Sequence, residues 1–145
     1  MSIRVLADAN IFISYLLAPD SAGAIAGTVE SLSSADIALV FPDSLAFEVR
    51  STIERKPYLR ERITIDEADA LIDELRAIAL SFDLGPIGIA PVLRDRKDDY
   101  LLAEAIRCDV DYLVSGDRDL LDIRDSIDRP RIVRPAEFLA AIGYP

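Results

Sequence analysis

Two stretches of this chain repeat one layout: Ile3-Arg4-Val5-Leu6-Ala7 runs into Asp8-Ala9-Asn10, and Tyr112-Leu113-Val114 runs into Ser115-Gly116-Asp117. Each is a short β-type run that hands a carboxylate to its C-terminal end, just where a helix can begin. In open parallel α/β sheets that edge is where ligands bind. Two acids delivered to one edge, in a chain without histidine, point to a metal site built from oxygen ligands.

The rest of the chain supports such a sheet. Short apolar runs alternate with helical segments, the pattern of βαβ units around parallel strands. The strands expected are Ile3–Ala7, Ile37–Phe41, Asp111–Val114 and Arg131–Val133. Helices are expected over Asn10–Leu17, Ser21–Ser33 and Pro42–Lys56, the last capped by Asp43 or Ser44 and stopped by Pro57. Thr64-Ile65-Asp66-Glu67 fits a capping box. The helix behind it carries Ala68, Leu71, Ile72, Leu75 and Ile78 at helical spacing. Further helices are expected over Lys97–Cys108, Asp117–Leu121 and, from Pro135, to Ala141. The stretch Phe82–Val92 holds Gly85, Pro86, Gly88 and Pro91, so any strand there is short. With 145 residues, no long linker and no repeat, one domain over residues 1–145 is the simplest organisation.

Composition prunes the chemistry. The absence of histidine removes Ser-His-Asp and Cys-His catalysis and His-ligated zinc. Cys108 is the only cysteine, so no internal disulfide forms, and its place late in an apolar helix suits a small core residue. No apolar run approaches the ~20 residues that span a bilayer. The start at Met1-Ser2-Ile3-Arg4 lacks a signal-peptide layout, so a cytoplasmic protein without membrane association is expected. The net charge of −10 repels nucleic acid at long range. Solubility is one reading of that charge; carboxylates that hold divalent ions, or a basic partner, are the others.

Each acid has a bland reading beside the functional one. Asp8 can simply cap the helix after it, although Asn10 can do that too. Asn10 can also orient the Asp8 carboxylate, and Ser14 shares its helix face. Glu48 stands mid-helix, three residues after Leu45 and four before Thr52. It is either solvated or points back over the sheet edge. In Arg94-Asp95-Arg96-Lys97-Asp98-Asp99-Tyr100, acids favour a helix's first turn. Asp99 shares a face with Leu102, Ala103 and Ile106, which are expected to point inward. That makes it the first choice and Asp98 the second. Asp117 follows Gly116 and can cap a helix or bind metal, with Asp119 as an accessory. Oxygen-only ligation suits Mg²⁺ or Mn²⁺, which commonly act on phosphates.

Asp8-Ala9-Asn10, Phe47-Glu48-Val49, Asp98-Asp99-Tyr100-Leu101-Leu102-Ala103 and Leu113-Val114-Ser115-Gly116-Asp117-Arg118-Asp119-Leu120 resemble, in order, the successive motifs of PIN domains. The likeness is nearest to prokaryotic PIN proteins regarded as toxins of toxin–antitoxin pairs. The resemblance implies a three-layer α/β/α sandwich with a central parallel sheet, and a metal-dependent ribonuclease. It makes Asp8, Glu48, Asp99 and Asp117 the catalytic, metal-holding quartet, with Asp119 an additional acid. Ser115 stands where the family often has threonine, and Asn10 matches the asparagine of the first motif. It further implies an RNA substrate, a small antitoxin partner and a homodimer. Arg94, Arg96, Lys97 and Arg118 are the candidate RNA contacts, their alternative being a solvated charged loop. Three rivals remain at this level: a receiver-like phosphotransfer domain, a non-catalytic acidic groove for a basic peptide, and a PIN nuclease that processes RNA without toxicity.

Overall fold

In the computed structural model the described residues are 2–19, 23–79 and 96–144, and the side chains of 96–99 lie outside that description. Among these residues four strands form one parallel sheet in the order β2-β1-β3-β4, with β1 at Ile3–Ala7, β2 at Ile37–Leu39, β3 at Tyr112–Val114 and β4 at Arg131–Val133. Parallel strands need crossovers, and helices supply them. Among the described residues, α1 (Ala9–Leu17) and α2 (Ala24–Ser31) join β1 to β2. Between β2 and β3 lie α3 (Asp43–Arg55), α4 (Pro57–Arg60), α5 (Ile65–Ile78) and α6 (Arg96–Arg107). Then α7 (Arg118–Asp122) leads towards β4, and α8 (Pro135–Ile142) follows it. This is the expected α/β/α sandwich.

The chain steps from β1 out to β2, then returns past β1 to β3 and β4. Right-handed crossovers taken in opposite directions put helices on opposite faces of the sheet. Burial on both faces explains why the strands read as continuous apolar runs rather than alternating ones: Val5, Leu6, Ala7, Leu39, Leu113 and Val114 are all fully buried. The reversal of direction leaves a switch point between β1 and β3, the place where open α/β sheets bind ligands.

The two ends of the sheet differ in how they treat charge. At the end where β1 and β3 begin, the backbone N–H of Arg4 donates to Asp111 Oδ2 at 2.9 Å. Arg129 pairs with Asp111 at 2.8 Å and with Asp109 at 3.2 Å. These acids are neutralised by their own chain, and their role is structural.

Local chemistry sets the helix boundaries, and some differ from expectation. Thr64 and Glu67 form the expected capping box, each bond 3.0 Å long. Pro42, not Asp43 or Ser44, occupies the cap position of α3, and no side chain caps it. Asp43 is instead drawn to Arg76 of α5, 3.4 Å away. Pro57 ends α3 and also opens α4, a helix the sequence did not announce, because its fixed φ suits a first helical position. Gly143 closes α8 with φ +69°, a conformation that L side chains rarely adopt. Cys108 is buried, and burial pushes its thiol pKa up, as befits an inert core residue. The stretch Phe82–Val92 lies outside the described residues.

Candidate active site

Register brings the two opening stretches together. Ala7 pairs with Val114 across β1 and β3, and the N–H of Asp8 continues that ladder to the Val114 carbonyl at 3.0 Å. Asp8 and Ser115 therefore emerge side by side at the switch point. Ser115 is fully buried, and its hydroxyl donates to Asp8 Oδ2. The same hydroxyl accepts the backbone N–H of Asp117 at 2.9 Å. One serine thus ties the end of β1 to the turn after β3.

Asp8 does cap α1: its Oδ1 accepts the Ile11 N–H at 3.2 Å. It is nevertheless an unusual cap, because it is only 7% exposed. Burial raises its pKa above the ordinary 3.8, and the nearby negative charge of Asp117 adds to the rise. The Ser115 hydroxyl and the Ile11 and Asn10 backbone N–H groups partly offset it. Asn10 thus acts through its main chain.

Asp8, Glu48 and Asp117 line one cleft of about 210 Å³, together with Asn10, Tyr100 and the C-terminal part of α3. They arrive from three different elements. Each carboxylate is oriented by hydrogen bonds, Asp8 through both oxygens and Glu48 and Asp117 through one each, as metal-binding carboxylates commonly are. Glu48 Oε2 accepts the Tyr100 hydroxyl from α6. Asp117 Oδ1 accepts the Asp119 N–H at 2.9 Å, which caps α7. The Tyr100 phenol is pushed well above its ordinary range by burial first, then by its bond to Glu48 and the surrounding negative charge. It stays protonated and remains a donor. Unlike the acids at the other end of the sheet, none of the three makes an ion pair among the described residues.

The remaining candidates fall in several places. Asp99 and Asp98 lie in the first turns of α6, which also carries Tyr100 and Leu101 into the cleft. Ile106 is 51% exposed, against the expectation that it points inward. The buried positions are instead Leu101, Leu102 and Ala105 of α6, with Cys108 just beyond its end. Helical periodicity therefore favours Asp99 less than expected, and its place in the quartet rests on the motif alone. Asp119 is exposed beside the cleft and reaches Asp117 through its main chain. Ser14 lies one turn beyond Asn10, about 6 Å along the axis, and lines a separate hollow with Ala18, Ile25 and Arg134. Arg118 is exposed and outside the cleft lining. Arg94 lies outside the described residues, as do the side chains of Arg96 and Lys97. Among the described residues no group of three or more acidic or cysteine side chains is close enough to hold a metal ion.

Sequence reasoning missed Tyr100, Arg55 and Lys56. Arg55 was legible, because it follows Glu48 by seven residues on the same helix face. Tyr100 was not, because nothing local reveals that α6 crosses α3.

An acid-lined cleft at the switch point of a parallel α/β/α sandwich is a ligand-binding arrangement suited to hard cations and phosphates. A family model, the PIN domain, matches residues 4–119. The chain belongs to the PIN domain family, whose members are generally nucleases that use divalent metal ions. No curated protein and no solved structure matches it.

Proposed function

We propose that this protein is an Mg²⁺- or Mn²⁺-dependent endoribonuclease acting as the toxin of a toxin–antitoxin pair. The observation that carries the catalytic reading is the convergence of Asp8, Glu48 and Asp117 on one cleft without a cationic partner among the described residues. A buried carboxylate with a raised pKa is costly unless something positive offsets its charge. The donor set is all oxygen, which suits a hard divalent ion.

Asp8, Glu48 and Asp117, with Asp99 completing the quartet, would hold that ion, the three described side chains closing on it from positions wider than a metal-bound set. When bound, it lowers the pKa of attacking water and stabilises the leaving oxygen of a phosphodiester. The chain's own work is positioning. Ser115 and the start of α1 fix Asp8 at the floor of the cleft. Tyr100 fixes Glu48, and the α7 turn fixes Asp117. Asp119 stands by as an accessory acid.

The toxin role, a small antitoxin encoded beside the gene, a homodimer and a cytoplasmic location rest on the ordered likeness to toxin PIN proteins. Purified protein is to be assayed on structured RNA with EDTA, Mg²⁺ or Mn²⁺. Cleavage should require the ion and fall on the order of a hundredfold or more in Asp8→Asn, since losing even a group that only orients a metal ligand costs about 10- to 100-fold. Equal Mn²⁺-dependent cleavage by Asp8→Asn rejects the site. Growth arrest on expression, relieved by co-expressing a small upstream reading frame, tests the toxin role.

A further inference from the structure

α3 carries more into the cleft than Glu48. Thr52 and Arg55 follow it by four and seven residues, a spacing that keeps side chains on one helix face. Thr52, Arg55 and Lys56 all line the cleft that Asp8, Glu48 and Asp117 share. Arg55 and Lys56 are both exposed to solvent.

Their situation differs from that of many arginines in the described residues. Arg4, Arg50, Arg76, Arg107, Arg124 and Arg129 each meet an acid of their own chain within 4.0 Å. Arg55 and Lys56 meet none among the described residues, although acids line the same cleft. Arg55 is steered by its own helix instead. Its Nε donates to the Ser51 carbonyl and its Nη2 to the Thr52 hydroxyl, both at 3.3 Å. Thr52 is itself buried, so the guanidinium is aimed from a fixed point. Compensating the dipole at the end of α3 accounts for a cation there, but not for two on the wall of an acidic cleft.

The chain's net charge of −10 repels a polyanion, so an RNA strand must find positive charge locally. Guanidinium and ammonium groups are the side chains that meet phosphate oxygens. Building on the ribonuclease reading, we propose that Arg55 and Lys56 form the phosphate-gripping subsite of the cleft. They hold the RNA backbone on the α3 side of the scissile bond while the acids act on the bond itself.

The test uses the full chain and a fluorescent single-stranded oligoribonucleotide. Binding is read by anisotropy in an Asp8→Asn background, which prevents turnover, with and without Arg55→Gln/Lys56→Gln. The Kd should rise on the order of tenfold, and the slope of log Kd against log salt should shrink by about 1.4, about 0.7 for each lost phosphate contact. Arg60→Gln/Arg62→Gln removes the same charge from exposed positions outside the cleft lining and should change Kd less than about twofold. Lys56→Arg should keep the binding. In cleavage by otherwise wild-type protein, KM should rise, with Mn²⁺ affinity unchanged. An unchanged Kd and salt slope, or an equal loss in both double variants, overturns the proposal. Failure of the ribonuclease reading shows separately, as absent Mn²⁺-dependent cleavage or cleavage indifferent to Asp8→Asn.

Discussion

At the scale of single residues, Asp8 concentrates the tension between folding and function. Its pKa in the folded chain lies above the unfolded value of 3.8. In the window between the two, the native state therefore binds more protons than the unfolded state. Metal-free stability then falls as pH rises through that window. Below 3.8 both states are protonated and the penalty vanishes. Asp8→Asn, which keeps a capping side chain, should raise the melting temperature of metal-free protein at pH 7, by about 3 °C for each kcal/mol relieved. It should match wild type in strongly acidic buffer, and thermal melts at both pH values decide it. An unchanged or lower melting temperature at pH 7 would show that the Asp8 charge is well accommodated. Tyr100 offers a second test at this scale. Tyr100→Phe removes the donor to Glu48 while the ring keeps its packing. Mn²⁺ affinity should fall about tenfold, with a melting temperature close to wild type. A large loss of stability with unchanged Mn²⁺ affinity would make Tyr100 a packing residue only.

At the scale of elements, the helices are held by features of unequal legibility. The capping box at the start of α5 is fully local, and it folds as its four residues prescribe. Thr64→Ala should cost about 1 kcal/mol, read from chemical denaturation. The contact of α2 with α8 is the opposite case. Gly27 faces Leu139 so closely that an added Cβ would stand 2.9 Å from its Cδ1. In the sequence that glycine reads only as a weak break in an alanine-rich helix. Beside it, the fully buried Thr28 hydroxyl has no hydrogen-bond partner among the described residues. Thr28→Val replaces it with an isosteric methyl and should stabilise the protein by roughly 1 kcal/mol. A destabilised Thr28→Val variant would show that the hydroxyl is satisfied. The α6 face shows why periodicity alone misled. Ile106 is apolar and correctly spaced from Asp99, yet it is half exposed. Which stripe of a helix faces inward depends on the element packed against it.

At the scale of the whole molecule, the two ends of the sheet treat their acids differently. Acids at the end where strands begin are matched by Arg4 and Arg129. Acids at the switch point make no ion pair among the described residues, and the cations that share their cleft, Arg55 and Lys56, meet none of them within 4.0 Å. A divalent ion that binds there only in the folded state should raise stability by about 2.7 kcal/mol at a hundredfold excess over its Kd. Melting curves with and without Mn²⁺ should show this for wild type and not for Asp8→Asn. An equal shift in both would place the ion elsewhere.

The sequence by itself determined the strand-and-helix order apart from α4, the capping box and the delivery of Asp8 and Asp117 to strand ends. These depend on periodicity and on residues a few positions apart. The ordered motifs also carried the likeness to PIN domains. Only the tertiary structure decided that β1 and β3 are neighbours, which turns Ser115 into a tie between them. It also decided that α6 and α3 meet at Tyr100 and Glu48, and that Arg55 and Lys56 share a cleft with the acids. Those contacts join residues far apart in the chain, and no local preference encodes which distant surfaces will meet.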